Sequence, residues 1–262
     1  MMQVFGDDGA CIDVRVDGDG ADAVVLIHGF PLTRDVWDAQ AETLARTHRV
    51  VRPDLRGIGA SSVPDGPYLM EVLASDVAAT LEALGIERAA LAGHSLGGYA
   101  SLAFARMYAE RVSHLALVCS RIVADTPEIA KKRRETAETL ERGGTMQPEM
   151  VLRLLAPQTQ SHRPEIVRRA LDLESRVDPR GAASMLRGMA MRVAADDIAG
   201  DLDAPVLILA GAQDSVISME EARTTAGAFP KGRLVVCQAS GHLPMLEEPQ
   251  KVTEALQEWL AT

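Results

Sequence analysis

Aromatic residues are scarce: four Phe, three Tyr and two Trp, 3% of 262 residues. Few rings are left for stacking bases or lining a broad flat pocket. Cysteine is nearly as rare. Cys11, Cys119 and Cys237 are odd in number and far apart, and none sits in a CxxC or Cys/His pair. A zinc site or disulfide framework is not expected, and reduced, mostly buried thiols are. No run approaches the ~18 apolar residues of a membrane span. The N-terminal Met1-Met2-Gln3-Val4-Phe5-Gly6-Asp7-Asp8 lacks the basic and apolar regions of a signal peptide, so a cytoplasmic location is expected. Basic charge is also short: 27 Lys+Arg against 37 Asp+Glu leave a net charge of −10. Phosphate backbones need a basic face, so a nucleic-acid partner is not expected. The dense basic run Lys131-Lys132-Arg133-Arg134 reads as a solvated helix face.

What is present is an ordinary globular composition, 47% hydrophobic and 24% charged, long enough to bury a sizeable core. Strand-like and helix-like blocks alternate. Residues 1–5, 11–16, 23–27, 49–52, 89–92, 115–119, 205–210 and 233–238 read as strands; Ala23-Val24-Val25-Leu26-Ile27 has the continuous apolar run of a strand buried on both faces. Helices are expected over 33–46, with Val36, Trp37, Leu44 and Ala45 facing inward, and over 69–84, 96–108, 219–228 and 248–260. Such alternation implies an α/β fold with a mostly parallel sheet and helices on both faces.

One stretch breaks the rhythm. Residues 121–198 contain no convincing strand but carry Met146, Met150, Met185, Met189 and Met191. They read as a helical cap inserted before the last two strands, over a core of residues 1–120 and 199–262; helices packed on the side of the domain are the alternative. No internal repeat or low-complexity linker is present.

The sharpest local signal is Gly93-His94-Ser95-Leu96-Gly97-Gly98, a G-x-S-x-G between a strand and a helix. Ser95 must occupy a tight, strained turn, and the flanking glycines let strand and helix close on it. A serine hydroxyl needs a base beside it. Among six histidines, His242 follows the last strand and precedes the last helix. Asp214, past the preceding strand, supplies the order Ser…Asp…His, with Asp125 as a competing acid. The N–H groups of Phe30 and Leu96 are candidate oxyanion donors. His28, Trp37, His94, Met146 and Met189 are candidate substrate contacts. Each has a bland alternative: bracing a loop for His28, filling the elbow for His94, packing for the other three. No metal or organic cofactor motif is visible.

Together these segments resemble the α/β-hydrolase family over nearly the whole chain. His28-Gly29-Phe30-Pro31 resembles its oxyanion loop, Asp54-Leu55-Arg56-Gly57-Ile58-Gly59-Ala60-Ser61 its D-x-R-G-x-G-x-S segment, Gly93–Gly98 its nucleophile elbow, Gly211–Asp214 its acid loop, and Gly241-His242 with Glu247-Glu248-Pro249 its histidine segment. The similar subgroups are carboxylesterases, enol-lactonases and cofactor-free haloperoxidase-like esterases. Ser95 disfavours the dehalogenases and epoxide hydrolases, which use aspartate. Phe30 and Pro31 disfavour lipase relatives with an HGGG loop, and His94 lowers the carbon–carbon bond hydrolases, many of which carry Asn there. The resemblance implies a serine hydrolase acting on a small carboxylic ester, lactone or thioester. The alternatives are a carbon–carbon bond hydrolase, an acyltransferase or perhydrolase, and a non-catalytic small-molecule receptor. Substrate and oligomeric state stay open.

Overall fold

The computed structural model describes residues 2–262; Met1, which the sequence reading placed in the first strand, lies outside the described residues. Eight strands form one sheet: β1 (Met2–Phe5), β2 (Cys11–Asp17), β3 (Ala23–Ile27), β4 (Arg49–Pro53), β5 (Ala89–His94), β6 (Val112–Val118), β7 (Val206–Gly211) and β8 (Gly232–Cys237), in the order β1-β2-β4-β3-β5-β6-β7-β8. β1 pairs with β2, and β2 with β4, antiparallel. Every later pairing is parallel. The mostly parallel α/β architecture is therefore as expected.

Alternation along β3 shows how the core is divided. Val25 and Ile27 join one apolar cluster, Val24 and Leu26 the other, and all four are fully buried. A parallel strand covered on both faces has no polar side, which is why its sequence reads as an unbroken apolar run. The first face carries α2 (Met70–Ala83) and α3 (Leu96–Met107). The second carries α1 (Asp38–Leu44) and α12 (Pro249–Leu260). α10 (Met219–Ala228) joins β7 to β8, and the short α11 (Pro244–Glu247) precedes α12.

The helix expected over 33–46 is divided. A 3-10 turn covers Arg34–Trp37 before α1 begins. The Arg34 N–H is drawn to the Asp54 carboxylate at 2.9 Å, and the Val36 N–H closes an i→i−3 bond to Thr33 at 3.1 Å. Val36, Trp37 and Leu44 face inward as expected, whereas Ala45 is only half-buried. β6 starts three residues earlier than its apolar run, because Ser113 and His114 are half-buried and break the pattern.

Between β6 and β7 come α4 (Pro127–Glu141), α5 (Pro148–Leu152), α6 (Pro157–His162), α7 (Pro164–Glu174), α8 (Pro179–Ala190) and α9 (Asp196–Ala199). Five of these six helices begin at a proline. Proline is pre-set for the first helical position and has no N–H to leave unpaired there. Among the described residues no strand interrupts the insertion; a single bridge joins Ile58 to Val177. The basic run is not wholly solvated: Lys131, Lys132 and Arg134 are exposed, but Arg133 turns inward to Asp125. Among the described residues no helix is long and apolar enough to cross a membrane.

Strand order fixes where a site can form. β3 connects outward to β4 on one side, while its other neighbour, β5, connects on to β6. Chains leave the carboxyl ends of β3 and β5 in opposite directions and open a crevice between them. Truncating a central strand should cost far more than truncating the edge. Leu91→Ala, at a fully buried position of β5, is expected to lose about 2–5 kcal/mol in urea unfolding. Phe5→Ala on exposed β1 is expected to stay within about 0.5 kcal/mol of wild type.

Candidate active site

Ser95 sits at the turn from β5 into α3 with φ 49 and ψ −109. For an L-residue a positive φ of this kind costs about 1–3 kcal/mol and survives only where its surroundings over-determine it. Here they do. The Ser95 N–H donates to Val118 O (2.8 Å), and its carbonyl accepts from the N–H groups of Gly98 (2.9 Å) and Tyr99 (3.2 Å) and from Ser120 Oγ (2.9 Å). The glycines are required by close approach. A Cβ on Gly93 would lie 2.2 Å from Gly97 O, and one on Gly97 would lie 2.4 Å from Ile27 O.

Asp214 and His242 leave neighbouring strands, β7 and β8, and meet: His242 Nδ1 donates to Asp214 Oδ2 at 2.7 Å, with both side chains nearly fully buried. The other carboxylate oxygen accepts from the N–H groups of Val216 (2.7 Å) and Ile217 (3.1 Å). Burial pushes the Asp214 carboxyl up, but the charge and hydrogen bond of His242 and these two N–H groups outweigh it, and it titrates below its ordinary value. Its contribution to folding is therefore complete above the unfolded carboxyl value and is lost as pH falls through the depressed folded one. Asp125, the competing acid, is held by Arg121, Arg133 and Arg192 instead.

The His242 backbone is clamped from two sides. Its N–H donates to Leu154 O at 2.6 Å, and its carbonyl accepts from His94 Nε2 at 2.8 Å. That bond places the His94 proton on Nε2 and leaves Nδ1 buried without a partner. The two rings lie 5.0 Å apart, so the residue beside Ser95 touches the residue paired with Asp214. Ser95 Oγ itself makes no hydrogen bond among the described residues.

Neither the Phe30 nor the Leu96 N–H has a partner among the described residues. Leu96 opens α3, where the first N–H groups are free by construction. The Phe30 loop is set by His28: Leu55 N–H donates to His28 Nε2 at 3.0 Å, so the proton sits on Nδ1, facing Gly29 O at 3.1 Å. Burial pushes the imidazoles of both His28 and His94 down, keeping them neutral.

Three candidate substrate contacts are engaged in packing or bracing. Trp37, His28 and His94 are completely buried. Trp37 fills the core beside α12, His28 braces the loop after β3, and His94 supports the His242 carbonyl. Met189 is buried beneath Arg133, whose Nη1 lies 3.4 Å from its sulfur, and Met146 is half-buried against the same apolar cluster. Cys11, Cys119 and Cys237 are free thiols, as expected, although Cys11 is only half-buried.

Two residues named in the sequence, Glu247 in the histidine segment and Cys119 as a buried thiol, have supporting roles that the sequence did not assign them. Glu247 is 3% exposed and accepts from Gly241 N–H (2.9 Å), Ala156 N–H (2.9 Å) and Thr159 Oγ1 (2.7 Å), tying the insertion to the loop of His242. Its only signal was its place five residues after that histidine. Cys119 also holds a positive φ, 46, and its sulfur lies with donor atoms of Asp214 and His242 inside 4.8 Å. Burial pushes the Cys119 thiol well up, so it stays protonated, while His242 Nδ1 is already committed to Asp214. A protonated thiol and an engaged Nδ1 make the trio a poor set of ligands for a metal ion.

The elbow's crowding is directly testable. Gly97→Ala should cost on the order of 1–3 kcal/mol or more in urea unfolding, because backbone atoms stand in the way. Gly227→Ala, in open space on α10, should instead stabilise by about 0.5–1 kcal/mol.

Comparison with known proteins places the fold in a family. A family model described as the alpha/beta hydrolase fold matches residues 22–249. An esterase from Thermogutta terrifontis, solved with malate bound, is 36% identical with a TM-score of 0.94, covering 99% of this chain and 97% of that one. The enol-lactonase of Burkholderia xenovorans is 25% identical with a TM-score of 0.91 over 100% of both chains. The 3-oxoadipate enol-lactonase 2 of Acinetobacter baylyi is 27% identical, over 90% of this chain and 87% of its own length. These similar proteins are hydrolases, and the likeness supports hydrolase activity in general. With the family model spanning so much of its length, the chain belongs to the α/β-hydrolase fold family.

Proposed function

We propose that this protein is a serine hydrolase of small carboxylic esters or lactones, working through an acyl-enzyme. The observation that carries the reading is the buried 2.7 Å bond between His242 Nδ1 and Asp214 Oδ2, with His242 held against the strained elbow of Ser95. The likeness to an esterase and to enol-lactonases supports it.

With Nδ1 bound to Asp214, His242 presents Nε2 as the free, basic nitrogen. It takes the Ser95 proton as Oγ attacks the substrate carbonyl. The oxyanion forms beside the unpaired N–H groups of Phe30 and Leu96, a donor pair in which each member contributes about 2.7–4 kcal/mol in comparable sites. His242 then protonates the leaving alkoxide, and water repeats the sequence on the acyl-enzyme. Asp214 stays ionised and stabilises the imidazolium. Serine-to-imidazole contacts are often open in unliganded enzymes and tighten with substrate, which fits the unbonded Ser95 hydroxyl. The insertion, tied to the base loop through Leu154 and Glu247, supplies a wall for the acyl and alcohol groups.

Hydrolysis of p-nitrophenyl butyrate should be readily measured in wild type and abolished in Ser95→Ala; turnover surviving in that variant would refute the assignment. Asp214→Asn should lower kcat by roughly 10⁴-fold, and near-wild-type activity would remove Asp214 from the relay.

A further inference from the structure

The loop that carries His242 is held in place by other segments of the chain. The Ala239 N–H and the Ser240 hydroxyl donate to Glu248 Oε2 at 2.9 and 2.7 Å, and the Ser240 carbonyl accepts from Gln213 N–H at 2.9 Å. The Gly241 N–H donates to Glu247 Oε1 at 2.9 Å, and the His242 N–H to Leu154 O at 2.6 Å. Gly241 is also pinched. A Cβ on it would lie 2.7 Å from both Leu154 O and Ala156 N, and one on Gly211 would lie 1.9 Å from Gly241 O. The base loop therefore meets residues 154–156 of the insertion backbone to backbone, with no space for a side chain between them.

Glu247 closes this contact. While Oε1 serves the base loop, Oε2 accepts from Ala156 N–H at 2.9 Å and Thr159 Oγ1 at 2.7 Å on the insertion. Ala156 and Thr159 are buried, as Glu247 is. Among the described residues no cation pairs with the carboxylate. The neighbouring Arg163 donates to the Glu247 carbonyl at 2.6 Å and pairs with Glu165. Burial pushes the Glu247 carboxyl up, and the hydrogen bonds from Thr159, Ala156, Gly241 and Leu243 oppose it. Each carboxylate oxygen thus faces a main-chain N–H. An amide of the same shape would turn its NH2 group toward either the Gly241 or the Ala156 N–H, donor against donor. A buried N–H left without its acceptor is costly.

Glu247 touches neither Asp214 nor the His242 ring, yet it fixes the residue that precedes the imidazole. Asp214 is fixed separately, by Val216 and Ile217 of its own loop, so a shift of Gly241 moves the base without moving the acid. We infer that Glu247 is a positioning residue for His242: by joining Gly241 to Ala156 and Thr159, it makes the alignment of the imidazole with Asp214 depend on the docking of residues 154–159 of the insertion. The assignment rests on the serine-hydrolase reading and deepens it, giving the insertion a part in the reaction besides walling the substrate.

The test is Glu247→Gln, with Glu248→Gln as its control. Glu248 takes both of its donors on one oxygen, and an amide can turn its own oxygen to them. With p-nitrophenyl butyrate, Glu247→Gln should lower kcat on the order of 10²-fold, the effect of a misplaced base, while KM stays within about threefold of wild type. Glu248→Gln should keep kcat within about twofold. The low-field proton resonance of the His242 Nδ1–H bound to Asp214 should appear in wild type and Glu248→Gln and be lost or shifted in Glu247→Gln. A folded Glu247→Gln with wild-type kcat, or one in which KM alone rises, overturns the assignment. Should Glu247→Gln fail to fold, Thr159 decides. Thr159→Val should have a kcat about tenfold below that of Thr159→Ser, which keeps the hydroxyl, and equal kcat in the two overturns the assignment. If wild type hydrolyses no ester, the serine-hydrolase reading fails and the resonance judges Glu247 alone: its loss in Glu247→Gln supports the tie, and an unchanged resonance overturns it.

Discussion

The structure depends on a close approach of backbone to backbone at the end of β5. Gly93 and Gly97 let the strand, the first turn of α3 and the end of β3 come closer than any side chain would permit. Ser95 is forced into a positive φ as the chain reverses there, and four hydrogen bonds hold it. Two of the partners, Val118 and Ser120, belong to β6 and the residues after it. The elbow is thus braced by the strands on both sides of β5, and its position is set by the sheet rather than by the loop itself.

The proposed acid and base are secured differently, through polar contacts that cross from the sheet to the insertion. Asp214 is fixed by main-chain N–H groups of its own loop. His242 is fixed by Leu154, which belongs to the insertion, and by His94 from the elbow. Glu247 adds two further bonds across the same boundary, from Ala156 N–H and Thr159 Oγ1, and one within the His242 loop, from Gly241 N–H. A movement of residues 154–159 would be transmitted to the imidazole through groups that are almost fully buried, where an unpaired carboxylate or N–H is expensive. The insertion therefore helps to hold the loop that carries His242.

Buried charge is placed with similar economy, except at one point. Arg56 is closed by Asp76 and Asp8, and Arg52 by Asp17 and Asp38. Around Asp125 the count of cations exceeds that of anions, and the extra donors are turned inward.

Much of this was legible in the chain itself. The β3 run, the boundaries of α10 and the G-x-S-x-G turn follow from local rules: two-faced burial, helix capping, and the need for glycine where backbones touch. The order Ser95, Asp214, His242 also followed, because each residue lies in the loop just past a strand. The division of residues 33–46 did not, since it depends on Asp54, distant in sequence, capturing the Arg34 N–H. Nor did the roles of Trp37, His28 and His94: a large or polar side chain near a strand end looks alike whether it lines a pocket or fills the core. The sequence by itself determined which residues can strain, cap, attack or accept a proton, because those are properties of single side chains and their neighbours. Only the tertiary structure decided that Asp214 rather than Asp125 meets His242, and that Arg192 joins Arg121 and Arg133 on the acid left over, because those contacts join residues 28 and 67 positions apart.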